Sequence, residues 1–436
     1  MNLPAILRQE ASLLVAALFV VLGYVFEHSV LEAGKAASLI GAAVFIAVIV
    51  LASTRVAHHA EVLAHKVGDP YGTMILTLSA VAVEVLILAI MMGSSSSPTL
   101  VRDTIYSAVM LDINGILGLA ALLGGLRHGE QPYNDDSSRT YSVMILTAMG
   151  ISMIVPEFVP DDRWRYYSMF TIVAMIALYG VFLKMQVGPH SYFFSYTYPR
   201  TPKTVTASKG ETPTAGQSAS ASAAPAPAPA QAPAQAQAMS ASANAATSPA
   251  ATSTAGTAPT GQSAQAAAPA PDAAAGTAVG AESENEPAGL SIAIILVGVL
   301  IIGFLAEFMS AFLDTGLEGS GAPPALTAVV VAAISAAPEI LTALRAALRN
   351  RMQSVVNIAM GASLSTVILT VPVMEGIALY TGQPFIMAMT PVQTVMAAIT
   401  LIVAAINLND GQTNAIEGMT HFVLFATFVM LTMIGL

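Results

Sequence analysis

Eleven stretches of this chain are apolar for about the 20 residues that one helix needs to cross a bilayer. They run from about 11–27, 36–57, 71–93, 99–126, 140–157 and 165–187, then about 290–313, 323–344, 352–379, 385–407 and 415–436. Hydrocarbon admits only helices and closed barrels, because nothing else satisfies the backbone there, and apolar runs of this length read as helices. The expected fold class is therefore an all-α integral membrane protein with about 11 transmembrane helices. Composition agrees: of 436 residues, 55% are hydrophobic and 10% charged, against about 25% charged in a soluble domain. Arg8 ahead of the first stretch imitates a signal peptide, but Glu27 and His28 follow it with no small-residue cleavage site. The stretch is read as a first transmembrane helix.

Several function classes are excluded early. With no cysteine there is no disulfide, thiolate catalysis or cysteine-bound metal. The net charge is −10 and no basic cluster offers a nucleic-acid surface, so no nucleic-acid partner is expected. No phosphate loop, nucleophile elbow or intramembrane-protease pattern occurs, so neither an enzyme nor a cofactor is expected. The many Met residues within the stretches read as packing groups. The partners that remain are the lipid bilayer, inorganic cations and protons. Nothing in the sequence sets the oligomeric state.

Domain organisation follows from a shift in composition. Segment 1–35 carries the first helix, 36–200 holds five more, and 290–436 the last five. Between them, 201–289 is rich in Ala, Pro, Ser, Thr and Gln, a composition that builds no packed core and is expected to be a disordered spacer. Placing the N-terminus in the cytoplasm puts Arg8, Arg55, Lys66, Arg127, Arg139, Lys184, Arg200, Lys203, Lys209, Arg345, Arg349 and Arg351 inside, and Lys35, Arg102, Arg163 and Arg165 outside. That bias predicts a cytoplasmic linker, a periplasmic C-terminus and residence in a bacterial inner membrane.

The two halves echo each other. Glu84 lies in the third stretch and Glu339 in the eighth, each after a Gly/Pro-rich approach (68–72 and 319–324). Each is followed by a basic residue opening the next stretch, Arg102 and Arg351, with Asn114 and Ser363 each 12 positions further on. The third stretch runs outward and the eighth inward, so the halves are expected to be inverted repeats with an ion site where they meet near the midplane.

A carboxylate inside a bilayer costs about 2.5–3.5 kcal/mol and marks function by default. Glu84 and Glu339 have small neighbours (Ser79, Ala80, Ala82; Ser335, Ala336, Ala337) that let another backbone approach. Pro338 removes a helical donor, which frees a carbonyl near Ile334 as a cation ligand. Calcium takes six to eight oxygen ligands, carboxylates and carbonyls among them. Two carboxylates balance one divalent cation, and burial without it favours their protonated forms. Exclusive binding of cation or protons at one site is the minimum machinery of an antiporter. The alternative is that each glutamate pairs structurally with an Arg or a polar neighbour.

Three further sets stand beside this pair. Asp103, Ser107 and Asn114 share a face of the fourth helix at spacings of four and seven, and are expected to line the path. Asp112 falls off that face and has no assigned place. Ser363, Thr366 and Thr370 repeat the pattern in the ninth helix, with local back-bonding of the hydroxyls as the alternative. Glu61 and Glu307 are candidates for pathway or gating. His58, Glu61 and His65 stand at helical spacings of three and four, which suits a metal or a pH sensor, although a solvated helix end explains the histidines as well.

Three passages carry a family resemblance: RVAHHAEVLAHKVGDPYGTMILTLSAVAVEVLILAIMM, SPTLVRDTIYSAVMLDINGILGLAALLGG and AAPEILTALRAALRNRMQSVVNIAMGASLSTVILTVPV. In these the chain resembles the cation/proton exchanger family of the calcium/cation antiporter superfamily, and most of all its bacterial calcium/sodium–proton antiporters. The resemblance spans all the helices and omits the linker. It implies a first peripheral helix, two inverted five-helix repeats, and export of calcium, with sodium or potassium as alternatives, in exchange for protons. Glu84 and Glu339 occupy the glutamate positions of the family's repeat motifs. The family's Asn positions are Val81 and Ala336 here, its Gly positions Ala80 and Ser335, and a Gln position is Ser365. Glu61 and Glu307 match acidic positions in the preceding helices, and only Glu282, Glu284 and Glu286 match its acidic linker. A membrane scaffold or signalling protein and a passive cation channel are the competing readings, and dependence on a proton gradient separates antiport from both.

Overall fold

The computed structural model describes residues 10–67, 71–94, 97–160, 162–188, 191–194, 196, 288–323, 325–383 and 385–436. The chain divides into a helical unit, Met1–Thr197 with Ala270–Leu436, and a second unit, Tyr198–Pro269. The second unit, and with it the expected disordered linker, lies outside the described residues.

Every apolar stretch coincides with a helix. In chain order these are α1 (Ala11–Glu32), α2 (Lys35–Val67), α3 (Tyr71–Ser94), α4 (Leu100–His128), α5 (Asp135–Phe158), α6 (Trp164–Val187), α7 (Ala288–Leu317), α8 (Ala325–Ser335 with Ala337–Leu348), α9 (Met352–Thr381), α10 (Pro391–Asn407) and α11 (Ala415–Met433). Among the described residues eight are long and apolar enough to cross a membrane alone, and α8 makes nine. The described apolar cores of α3 and α10, Thr77–Gly93 and Pro391–Asn407, are shorter. The eighth stretch is bent by 57° between Ser335 and Ala337, where Pro338 is expected to disrupt it. Pro338 accounts for the bend, since it has no N–H to give the Ile334 carbonyl one turn back.

Three of the long helices contain wide π turns, Leu111–Leu117 in α4, Gly150–Ile154 in α5 and Thr366–Thr370 in α9. In α9, Pro372 follows at once and leaves the carbonyl four residues before it without a helical donor. A two-residue antiparallel pair, β1 (Gln131–Pro132) with β2 (Gln412–Thr413), ties the loop after α4 to the loop after α10. It is the one pair of strands among the described residues, so the class remains all-α.

The buried side chains form two clusters. One joins α1, α2 and α7 through residues such as Ala52, Phe308 and Phe312. The other joins α4, α5, α6, α9, α10 and α11 through residues such as Ile113, Ile145 and Val367. Helices α3 and α8 contribute to both: Val83 and Ile87 to the first and Leu88 and Met92 to the second, Val331 and Ile334 to the first and Ala343 and Ala347 to the second. The helices that carry Glu84 and Glu339 therefore lie along the seam.

Candidate cation site

Glu84 and Asp112 are buried and Glu339 is half-buried. Glu339 opens the second limb of α8, directly after the bend. Asp112 lies within electrostatic reach of Glu339 and Glu84, and Glu339 within reach of Glu84. The repeat-matched glutamates and Asp112 are thus close enough to influence one another electrostatically. The π turn of α9 reaches the same place: Thr366 donates to Glu84 Oε2 at 2.9 Å, and Ser363, just before it, donates to Asp112 Oδ2 at 3.1 Å. Thr370 lies against the Glu84 carboxyl without forming a hydrogen bond, and Glu84 Oε1 has no partner among the described residues. These donors leave carboxylate lone pairs free to accept a hard cation. Among the described residues no three His, Asp or Glu side chains converge as tightly as a closed metal cage requires.

The expected line of Asp103, Ser107 and Asn114 does not reach this cluster. Asp103 accepts from Arg102 Nε and Nη2 at 2.9 and 2.8 Å, from Thr99 at 2.9 Å and from Gln393 Nε2 at 2.9 Å. Ser107 bonds back to the Asp103 carbonyl at 2.6 Å. Asn114 donates to Thr400 at 2.7 Å, and His421 Nδ1 stands 3.0 Å from its Oδ1. The shared face itself holds, since Asp103 and Asn114 both meet α10, at Gln393 and Thr400, but that face is turned to α10 and not to the glutamates. Asp112, which the helical count set off that face, lies on the other side of α4, where Ser363 of α9 reaches it. In α9, Ser365 bonds back to the Gly361 carbonyl at 2.7 Å, so its hydroxyl is spent locally. Ser335 ends the first limb of α8 at the bend, half-buried.

The model of the family described as sodium/calcium exchanger protein matches residues 37–188 and 290–434, more than half of the chain. This chain belongs to that family. It is a multi-pass membrane antiporter of inorganic cations and not an enzyme. It is 28% identical over 378 residues to the sodium-potassium/proton antiporter ChaA of Escherichia coli, covering 86% of this chain and 84% of the relative. It is 22% identical over 383 residues to a Ca2+/H+ antiporter of Aphanothece halophytica, covering 85% and 83%. Among solved structures, that of native YfkE superposes with a TM-score of 0.60 at 15% identity, over 93% of this chain and 99% of the other, a likeness of fold.

The remaining sequence candidates of this exchanger lie apart from the carboxylate cluster. Glu61 is half-buried on α2, and Glu307 is exposed on α7. His58 packs its ring on His59 at 5.7 Å, and the His65 side chain lies outside the described residues. His59 Nε2 lies 3.0 Å from Glu10 Oε1. Arg55 holds the same carboxylate through Nε at 2.9 Å and through Nη2. Burial alone would raise the Glu10 carboxyl, but its bonds to Arg55 and His59 outweigh that and hold it below its ordinary value of 4.5. The trio ties the start of α1 to α2.

Sequence reasoning missed the place of Asp112 and the direct bond from Thr366 to Glu84. The cost of an aspartate in mid-span was the available signal for Asp112, and the regular helical count overruled it.

Proposed function

We propose that this antiporter exports calcium in exchange for protons at Glu84, Glu339 and Asp112. The observation that carries the reading is that α9 bonds two buried carboxylates, Thr366 to Glu84 and Ser363 to Asp112, while Glu339 opens the limb of α8 after its bend. Like charges so close within a membrane must be neutralised, by a cation in one state and by protons in the other. Mutually exclusive occupancy couples the two fluxes. Ser363 and Thr366 orient the carboxylates, and the bend at Ala336 adds a carbonyl without a helical donor.

Rocking of the α1, α2 and α7 cluster against the rest about the seam supplies alternating access. Glu61 and Glu307 lie on two of those moving helices, where they attract cations toward the site. Around this core the chain is organised as an N-terminal segment 1–35 with a peripheral helix, repeats 36–200 and 290–436 in inverted orientation, and a linker 201–289. The Lys and Arg bias supports an inner-membrane protein with the N-terminus and linker cytoplasmic and the C-terminus periplasmic.

Sodium or potassium is the second reading. The likeness to the sodium-potassium/proton antiporter of Escherichia coli favours it, as do Val81 and Ala336 in place of amide side chains. The deciding experiment is proton efflux from everted vesicles, followed with a pH dye while calcium, sodium and potassium are added in turn. Calcium-driven efflux at the lowest concentration is expected. Efflux with monovalent ions alone gives the second reading, and efflux with none of the three refutes proton-coupled exchange of these ions.

A further inference from the structure

The cluster of Asn114, Thr400 and His421 has no part in the site described above, although it shares a π turn with it. Asn114 is 0% exposed and lies at the middle of Leu111–Leu117. Asp112 lies two residues earlier in the same turn. Side chains two apart on a helix point to nearly opposite sides. The turn therefore presents Asp112 to Ser363 on one side and Asn114 to α10 and α11 on the other.

The second side is held by directional bonds. Asn114 Nδ2 donates to Thr400 Oγ1 at 2.7 Å, and its Oδ1 is 3.0 Å from His421 Nδ1. With the amide nitrogen committed to Thr400, the oxygen is the acceptor, so His421 donates from Nδ1. His421 is buried, and its Nε2 has no partner among the described residues. The approach of α11 to α4 depends on glycine at both faces. A Cβ on Gly118 would lie 2.8 Å from His421 Cβ, and one on Gly418 would lie 2.2 Å from the Leu122 backbone nitrogen. This close approach holds the His421 backbone against α4, so the imidazole meets Asn114 from a packed position.

π turns occur mostly as single wide turns inside α-helices, frequently at functional sites. We infer that His421 and Thr400 are positioning residues for cation binding: through Asn114 they set the rotation of the π turn that presents Asp112 to the cation. His421 touches neither cation nor proton in this scheme. It acts as a hydrogen-bond donor from α11, and removing that donor lets Asp112 turn away from Glu84 and Glu339. The inference rests on the three-carboxylate reading of the site.

The test is cation-driven proton efflux in vesicles, with apparent KM and maximal rate measured separately for wild type, His421→Leu, His421→Gln, Thr400→Val, Asp112→Asn and the double variant His421→Leu/Asp112→Asn. Losing one buried hydrogen bond of this kind shifts an equilibrium by about tenfold. His421→Leu is expected to raise the apparent cation KM by about that factor with the maximal rate changed less than about twofold. His421→Gln keeps an N–H donor and restores most of the affinity. Thr400→Val, nearly isosteric, raises KM in the same direction and carries the test if His421→Leu does not accumulate. In the Asp112→Asn background, His421→Leu adds little, because its effect is routed through Asp112. A full tenfold effect in that background, or an unchanged KM in both His421→Leu and Thr400→Val, overturns the inference while leaving the site intact. Wild-type behaviour of Asp112→Asn removes Asp112 from the site and overturns both.

Discussion

Asp103 separates a residue that lines the path from one that fastens the fold. Replacing it with alanine strips the carboxylate from Arg102, which is 10% exposed in its side chain against 8% for Asp103. Breaking such a buried pair by removing one partner costs about 3–5 kcal/mol, because the remaining charge is left uncompensated. Arg102 keeps one bond, from Nη1 to the Ala388 carbonyl at 2.8 Å, which points to the lower part of that range. The donors on Thr99 and Gln393 also lose their acceptor, and with Gln393 goes the tie between the start of α4 and the start of α10. We therefore expect Asp103→Ala to lose about 3 kcal/mol of stability. The apparent cation KM should stay within about twofold of wild type in the protein that survives, since no bond from Asp103 reaches the carboxylate cluster. The assay is denaturant unfolding of detergent-solubilised protein beside vesicle transport at a temperature where the variant is folded. An unchanged unfolding curve together with a tenfold rise in KM would falsify this account and return Asp103 to the ion path.

Glu84→Gln and Glu339→Gln should each abolish exchange while the protein still inserts, and full transport by either well-expressed variant removes the two-glutamate core of the site. Apparent calcium affinity should weaken steadily as pH falls at clamped potential, because protons and cation compete for the same carboxylates; a flat affinity from acid to alkaline pH with exchange continuing rules out a shared site. Glu10 is held below its ordinary value of 4.5 in the folded state, so its contribution to stability is present above about that pH and is lost as pH falls through the lower folded value. The stability gap between wild type and Glu10→Gln in detergent should therefore be full at neutral pH and close below about pH 4.5; a gap that widens on acidification contradicts the Glu10–Arg55–His59 tie.

The sequence by itself determined the class of this protein. Apolar stretches near 20 residues give helices in a membrane because lipid leaves the backbone no other partners, and each of the eleven stretches coincides with a helix. It also determined the two glutamates, since a carboxylate in hydrocarbon is costly enough to be visible in isolation, and Pro338, whose missing N–H predicts the broken α8. Only the tertiary structure decided what joins them. Asp103 and Asn114 looked like site residues because their shared face was assumed to point at the glutamates, whereas it meets α10. The π turn at Leu111–Leu117 is set by partners on α10 and α11, nearly 300 residues away in sequence, and no local pattern encodes it. Packing decides that Asp112 meets α9 while Asn114 meets α10 and α11. Hydroxyls divide the same way: Ser365 and Ser107 bond within their own helices, whereas Ser363 and Thr366 reach across to Asp112 and Glu84. A serine or threonine satisfies its hydrogen bond equally well by either route, so the choice depends on which neighbour packing brings within 3 Å of it.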